Sequence, residues 1–266
     1  MRRYLTVLPM LVRLHVKAEM EYRGAFLLDR LAQIIAYGSA FGSIWLLVRR
    51  FSTLGGWSWP ELALLLSFQL LTYSIGAALS FVQLRDLEEL VRLGNFDTLL
   101  VKPMSPWAYL IFSGFNIGYA GHVVLAIVLM LWTFGEVGID WTVFNVLYFA
   151  ASMLSAALVT AALLTMIGAN ALIFLRSRHL YSIYFGLWEL TRYPLSIFPA
   201  TIQVLMVAVV PLGFSAFVPV AFLLGKPIPI VGDWGGLLAP AVGPLLVLLA
   251  MAHWRFAISK YQGAGG

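Results

Sequence analysis

Long runs of uncharged apolar residues follow one another along nearly the whole chain, and this succession constrains its fold most. Each run is long enough to cross a bilayer, whose hydrocarbon core of about 30 Å needs about 20 helical residues. Composition agrees, because 61% of the 266 residues are hydrophobic and only 11% are charged, whereas soluble domains carry about 25% charged residues. The pattern predicts an all-α polytopic membrane protein and excludes a soluble enzyme, a disordered chain and a secreted disulfide scaffold.

The runs predict six transmembrane helices. They are placed at about 25–48, 62–82, 109–134, 143–175, 180–198 and 237–254. Another run, 199–224, directly follows 180–198, and counting both as full spans would put the chain ends on opposite sides of the membrane. Because the second run begins with Pro199 and is interrupted by Pro211 and Pro219, we interpret it as re-entrant half-helices from the outer face. The swapped assignment stays open.

The distribution of basic residues predicts the orientation. With the N-terminus inside and six spans, only Arg49, Arg50, Arg192 and Lys226 of the 17 Lys and Arg residues fall on or near the outside. An excess of basic residues on the inner side is typical of cytoplasmic loops. Both termini are therefore predicted to be cytoplasmic, and the net charge of +5 is interpreted as orientation, with no nucleic-acid partner.

The N-terminal stretch 1–23 has the pattern of an interfacial helix. Its apolar residues recur at helical spacing, while Arg13 and Lys17 mark another face, as in amphipathic helices that lie on a membrane. A solvated tail is the alternative.

The stretch 84–103 is the most charged part of the chain. Charged residues alternate with apolar ones up to Arg92. Gly94, two residues further on, is well placed to end a helix. Asn95 can cap a second short helix, which is stopped at Lys102-Pro103. We therefore predict two short helices between the second and third spans.

The residues needed for catalysis or metal binding are missing. The chain contains no cysteine, its histidines lie far apart, and neither a Walker-type loop nor a serine-nucleophile motif occurs. The sequence Gly225-Lys226-Pro227 lacks the second, upstream glycine of a phosphate-binding loop and the Ser or Thr that follows its lysine. We therefore expect no catalytic site, no cofactor and no metal on this chain.

A few polar residues lie within predicted spans, where polarity is costly. Glu189 and Arg192 share a helix face and are functional candidates by default, with a structural ion pair as the alternative. Gln69, Asn116 and Asn170 are predicted to form hydrogen bonds between helices.

Several ordered stretches carry a resemblance to a known family. They are Glu19-Met20-Glu21-Tyr22-Arg23, Gly55-Gly56-Trp57-Ser58, Leu90–Asp97 continuing to Pro106, Arg192–Pro199, Val218-Pro219, Leu223-Leu224-Gly225, and Trp254-Arg255-Phe256 with Tyr261. Their order and spacing cover essentially the whole chain. The chain resembles the permease subunit of ABC-2 type exporters, in particular the short six-span permeases that occur as a non-identical pair beside one ATPase in bacterial operons.

The resemblance implies a multi-pass protein of the bacterial inner membrane that forms half of a translocation pathway. Two copies of a P-loop ATPase subunit would bind ATP and Mg²⁺, and a second permease, either a similar chain or another copy, would form the other half. Aromatic and apolar walls with few fixed charges favour an amphiphilic substrate. Only the family favours export over import. The alternative is a secondary transporter driven by an ion gradient, which the lack of mid-span acid pairs and internal repeats disfavours.

The resemblance also implies that the stretch 84–103 is a coupling helix that docks on the ATPase, with a solvated loop as the alternative. The coupling residues would be Arg92, Gly94, Phe96, Asp97, Leu99, Leu100, Lys102 and Pro103. Among them we expect Phe96, Leu99 and Leu100 to be the apolar anchors.

Two further regions follow from the resemblance. Glu19, Glu21 and Arg23 would make polar contacts at a hinge between the N-terminal helix and the first span. The outer gate would be shaped by Pro194, Pro199, Pro211 and Pro219.

Overall fold

The computed structural model describes residues 10, 13, 17, 21 and 23–263, and this part of the chain is almost entirely helical. Its α-helices are α1 Arg23–Phe51, α2 Trp59–Arg85, α3 Leu87–Arg92, α4 Asp97–Leu100, α5 Pro106–Ser113, α6 Ala120–Glu136, α7 Val143–Ala169, α8 Ala171–Phe174, α9 Arg178–Leu190, α10 Ala200–Val204, α11 Phe217–Leu223 and α12 Gly232–Lys260. The predicted interfacial helix over 1–23 lies almost wholly outside the described residues.

Within the described part of the chain, five helical segments are long and apolar enough to cross a membrane. Their bounds are Gly24–Phe51, Trp59–Arg92, Ile117–Glu136, Val143–Phe174 and Gly232–Lys260. A shorter apolar helix covers Ala200–Val209. These helices confirm the prediction of an all-α polytopic membrane protein.

Neither of the two adjacent runs, 180–198 and 199–224, forms one continuous helix of bilayer length. The first contains α9, which has 13 residues and so spans about 20 Å at 1.5 Å per residue. Its helix ends at Leu190 because a turn leads into Pro194, whose ring nitrogen cannot donate a helical hydrogen bond. The predicted fifth span is therefore shorter than expected and is interrupted before residue 198.

The helix α2 is the centre of the bundle. In the most apolar 18-residue stretch of α2, 89% of the residues are buried inside the protein, compared with 17% in that of α1. The helix α2 packs against both α6 and α7. Its start is fixed by a capping box, in which the Ser58 backbone N–H donates to Glu61 Oε2 at 2.8 Å. The outer helix α1 packs mainly on α6.

The helices α7 and α12 make the most extensive contact of the described bundle, and α7 completes hydrogen bonds that α12 lacks. Pro240 has no N–H, so the Gly236 carbonyl is free, and it accepts a 2.6 Å hydrogen bond from the Tyr148 hydroxyl. One turn further on, the Ser155 hydroxyl is inserted between the Ala239 carbonyl, at 2.7 Å, and the Gly243 N–H, at 2.8 Å. Side chains of one helix thus satisfy the backbone of the other.

The third predicted span, 109–134, is broken near its start. The helix α5 ends at Ser113, and α6 begins only at Ala120. Gln83 of α2 donates to the carbonyls of Ile111 and Gly114 at the end of α5. The Asn116 side chain accepts from the Gly118 N–H at 2.6 Å, and its backbone N–H donates to the Ala78 carbonyl at 2.9 Å. This break opens a recess beside α2.

Candidate functional site

The stretch 84–103 forms two short helices joined by a tight turn, as the sequence predicts. The turn depends on Gly94, whose φ of 72° lies in the left-handed region that suits glycine. The backbone N–H of Phe96 then donates to the Leu90 carbonyl at 3.1 Å, which fixes α4 against α3. The second helix ends at Leu100, before Lys102-Pro103. We call the residues 84–103 the coupling segment.

One face of the coupling segment is buried in the protein itself. Phe96 is fully buried and Leu99 is 6% exposed, and both belong to a cluster with Leu110 of α5 and Trp254 of α12. The Phe96 ring also meets the Tyr261 ring edge-on at 4.9 Å. Phe96 and Leu99 therefore hold the segment to the ends of the spans and expose little apolar surface. Their expected role as docking anchors stays a prediction, which this burial does not favour.

Other apolar residues of the coupling segment are exposed. Leu93 is 57% exposed, Leu100 44% and Val101 84%. Of these three residues, sequence reasoning named only Leu100. No helical periodicity could have identified the other two, because Leu93 and Val101 each lie just past the end of a separate short helix. We call Leu93, Leu100 and Val101 the exposed patch.

The charged residues of the coupling segment are tied to neighbours. Asp97 accepts a 2.9 Å hydrogen bond from the Tyr261 hydroxyl. Partial burial, together with this carboxylate, raises the pKa of Tyr261, so the hydroxyl remains a donor at neutral pH. Lys102 Nζ lies 4.3 Å from the centre of the Tyr109 ring, and Arg92 pairs with Glu89 at 3.4 Å.

Glu88 joins the coupling segment to the beginning of α9. Its Oε2 accepts hydrogen bonds from the backbone N–H groups of Ser177, at 2.6 Å, and Arg178, at 2.8 Å. A carboxylate at a helix N-terminus satisfies free N–H groups and complements the helix dipole. The neighbouring Glu89 pairs with the Arg178 guanidinium at 3.0 Å. Sequence reasoning missed Glu88 because its partners lie 89 and 90 residues away.

The predicted hinge is only partly described. Glu19 lies outside the described residues, Glu21 is exposed, and Arg23 is the first residue of α1. Their predicted role stays a prediction.

The predicted gate prolines all lie at or near the starts of short helical turns. Pro194, Pro199 and Pro211 directly precede Leu195–Ile197, α10 and Leu212–Ser215 respectively. Pro219 is the third residue of α11, within the first turn, where a missing N–H costs nothing. The stretch 194–223 is therefore a series of short helical pieces.

The stretch after α11 is fastened to the beginning of α2 and to the loop that precedes it. Lys226 Nζ forms a 2.8 Å ion pair with Glu61 Oε1 and donates to the Gly56 carbonyl at 2.9 Å. In the same loop, a side chain on Gly55 would collide with Ile197. The predicted gate and the loop are thus packed together at the end of the bundle opposite the coupling segment.

Glu189 and Arg192 pair with each other at the end of α9. Arg192 Nη1 lies 2.7 Å from Glu189 Oε2, and Nη2 donates to Oε1 at 2.8 Å. The Arg192 guanidinium also lies 5.6 Å from the centre of the Tyr37 ring on α1. Nearby, Gln69 of α2 donates to the Thr191 hydroxyl at 2.8 Å, which confirms its predicted inter-helix bond.

The other two predicted inter-helix hydrogen bonds are not made as expected. The Asn170 side chain bonds to carbonyls of its own helix, Met166 at 2.9 Å and Ile167 at 3.4 Å. The Asn116 side chain caps the following turn, and only its backbone reaches α2.

Long apolar helices packed side by side, with a helical segment packed across one end, define a polytopic membrane protein. The chain belongs to the ABC-2 family of transporter proteins, whose family model matches residues 34–265. Searches of curated proteins and of solved structures each returned no match. Membership confirms the resemblance: the chain is the membrane component of an ABC transporter, and the family implies an ATPase partner.

Proposed function

We propose that this chain is half of the membrane pathway of an ATP-driven exporter, and that the coupling segment docks on a separate ATPase through the exposed patch. The family supports the transport role. The position of the patch supports the docking role, because Leu93, Leu100 and Val101 expose apolar surface on a segment whose other face is buried in the bundle. Exposed apolar clusters outside the bilayer mark interaction surfaces.

The packing of the coupling segment suits the transmission of force. Phe96 and Leu99 anchor it against α5 and α12, the Asp97–Tyr261 hydrogen bond ties it to the end of α12, and Glu88 ties it to α9. A push on the exposed patch would therefore reach several helices at once. A solvated interhelical loop would need none of these contacts.

The proposal includes an orientation and a set of partners. The basic end with the coupling segment is cytoplasmic, in the inner membrane of a bacterium, and two ATPase copies bind ATP and Mg²⁺ below it. The second half of the pathway is a similar but different permease, or a second copy of this chain. Exposed apolar residues of α1, including Leu28 at 69% and Ile35 at 70%, offer a surface for lipid or for that second permease. The transported substrate is an amphiphile.

The docking role is tested by placing a charge on the exposed patch. We expect Leu100→Asp and Val101→Asp each to lower ATP hydrolysis of the reconstituted complex by at least about tenfold, since anchor residues at interfaces contribute about 2 kcal/mol or more. The variants should still insert into the membrane, because neither side chain is part of the core. Hydrolysis and co-purification of the ATPase are measured together.

The matched control is Ile230→Asp. Ile230 is a similarly exposed apolar residue, at 52%, but it lies in the loop at the opposite end of the bundle, just before α12. We expect this variant to retain hydrolysis. Patch variants that assemble and hydrolyse ATP like the control would contradict the docking role.

A further inference from the structure

The break between α5 and α6 leaves a cavity of about 500 Å³ beside α1 and α2. Its lining includes Arg30 and Gln33 of α1, Phe81 of α2, and Asn116 and His122 near the break. Phe81 lies close to the end of α2 that leads into the coupling segment. The cavity is therefore at the same end of the bundle as that segment.

Arg30 is largely buried here and has only part of its hydrogen-bonding capacity filled. Its side chain is 14% exposed, and Nη1 lies 3.1 Å from Asp29 Oδ2. Its Nε has no hydrogen-bond partner among the residues that the structure describes. The guanidinium also lies 4.5 Å from the centre of the Phe26 ring. A buried cation in a membrane helix is costly, and a free N–H on it is a strong donor for an anionic oxygen.

Two other polar side chains of the cavity have unsatisfied atoms. Within the described part of the chain, Gln33 Oε1 and both ring nitrogens of His122 lack hydrogen-bond partners. Gln33 Nε2 donates to Asp29 at 2.8 Å, which fixes the direction of the amide. A neutral imidazole offers one donor and one acceptor. The cavity therefore presents a cationic donor next to acceptors that need a hydroxyl group.

The charge of Asp29 does not cancel this preference. Its side chain is 58% exposed, compared with 14% for Arg30. Water screens an exposed carboxylate much more strongly than a buried guanidinium. The electrostatic potential inside the cavity is therefore set mainly by the positive charge of Arg30.

An apolar groove of about 430 Å³ adjoins the polar cavity. The two share Asn116 and Tyr119 in their linings. The groove is otherwise lined mainly by apolar residues of α2 and α6, among them Ile75 and Val123. A polar cavity next to an apolar groove matches a molecule that has a charged head and a hydrocarbon part.

We propose that the cavity binds the anionic, hydroxyl-bearing headgroup of an amphiphile, whose hydrocarbon part lies in the adjoining groove. The anionic oxygen accepts from Arg30, and the hydroxyl groups satisfy Gln33 and His122. This inference rests on the proposed function in one respect: it takes this end of the bundle as cytoplasmic. The amphiphile would then come from the inner leaflet of the membrane. It narrows the substrate class to anionic amphiphiles.

The test is a binding titration of the detergent-solubilised full chain, followed by native mass spectrometry. The probes are phosphatidylglycerol, phosphatidylcholine with the same acyl chains, and glycerol 3-phosphate, which has no acyl chains. We expect phosphatidylglycerol to bind at least about tenfold more tightly than either of the others. Phosphatidylcholine has the same phosphate oxygen but no hydroxyl groups for Gln33 and His122, and its headgroup adds a cation beside Arg30. Glycerol 3-phosphate lacks the hydrocarbon part that the groove would bury.

Arg30→Gln should weaken phosphatidylglycerol binding about tenfold, because it removes the cationic donor. The matched control is Arg49→Gln, at the other end of the same helix, where the arginine is exposed and lies over the Trp45 ring. A second variant, Ile75→Trp, fills the groove from a residue that is 41% exposed and leaves the polar cavity intact. It should weaken binding of the lipid and leave binding of glycerol 3-phosphate unchanged, which keeps the proposal testable if Arg30→Gln fails to fold.

Equal binding of the two lipids, or equal losses in the Arg30 and Arg49 variants, would overturn the proposal. Glycerol 3-phosphate binding as tightly as the lipid would also overturn it, in favour of a soluble phosphorylated ligand. None of these measurements uses ATP or the ATPase. Failure of this inference is therefore distinguishable from failure of the docking role, which the hydrolysis assay tests separately.

Discussion

At the scale of single residues, a carboxylate joins two segments that are distant in the chain. Glu88 of the coupling segment caps the N-terminus of α9 by accepting from two backbone N–H groups. Glu89 next to it makes side-chain ion pairs with Arg92 and Arg178, and all three of these side chains are about half exposed or more. The two neighbouring carboxylates therefore differ in what their removal should cost.

We expect Glu88→Ala to lower the free energy of unfolding by about 1–2 kcal/mol, because it removes a helix cap. The control Glu89→Ala should cost within about 0.5 kcal/mol, as is typical of exposed ion pairs. Thermal unfolding in detergent, followed by circular dichroism, measures both variants. Equal losses would mean that the cap of α9 contributes no more than a surface contact.

At the scale of elements, close helix packing in this protein depends on small residues and on hydroxyl groups. A side chain on Gly243 of α12 would collide with the backbone of Ser155 on α7. The Ser155 hydroxyl at the same place bridges the Ala239 carbonyl and the Gly243 N–H. Such contacts are typical of transmembrane helices, where small residues allow backbones to approach and hydroxyl groups bond across them.

Gly243→Ala should lower the free energy of unfolding by about 1–3 kcal/mol, because the added methyl group overpacks the contact and pushes α12 away from α7. The matched control is Gly42→Ala on α1, where a side chain would meet nothing within 4 Å. That change should be neutral or stabilising by up to about 1 kcal/mol, since alanine favours a helix over glycine. Thermal unfolding of both variants in one detergent provides the comparison, and similar midpoints would contradict the overpacking.

At the scale of the whole molecule, α9 connects the two ends of the bundle. It begins at the carboxylate of Glu88 in the coupling segment and is followed directly by the stretch that carries Pro194 and the other gate prolines. At its far end, Thr191 is held to α2 by Gln69, and the Glu189–Arg192 pair lies against α1. We expect a movement of the coupling segment to reach the predicted gate through this helix.

This expectation predicts that the gate moves during the ATP cycle. Because the chain contains no cysteine, spin labels can be attached to Thr201→Cys on α10 and Glu136→Cys at the end of α6, both of which are exposed. In the assembled complex, the distance between these labels should differ by several ångströms between the nucleotide-free and the ATP-trapped state. Pulsed electron paramagnetic resonance measures it.

The control pair for the gate movement is Glu136→Cys with Asp233→Cys, which lies at the beginning of α12 and is also exposed. Both of its labels are on long helices outside the gate, so this distance should change less. A gate distance that stays constant while ATP is hydrolysed would show that the prolines shape a fixed outer wall.

The sequence by itself determined the class of protein, the approximate bounds of most spans, and the two short helices of the coupling segment. These features depend on local signals: runs of apolar residues, a glycine at a left-handed position, and prolines that lack an N–H. The order and spacing of the sequence motifs also indicate the family that the family model confirms over residues 34–265.

Only the tertiary structure decided which apolar residues of the coupling segment face outward, where the third span is broken, and how the polar cavity forms. Phe96 is buried because Trp254 and Tyr261 reach it from the other end of the chain, and the break at residues 114–119 is held by Gln83 of α2. Local periodicity shows that a segment has an apolar stripe, but it does not show which partner covers that stripe. That choice depends on contacts between residues far apart in the sequence, which no local pattern encodes.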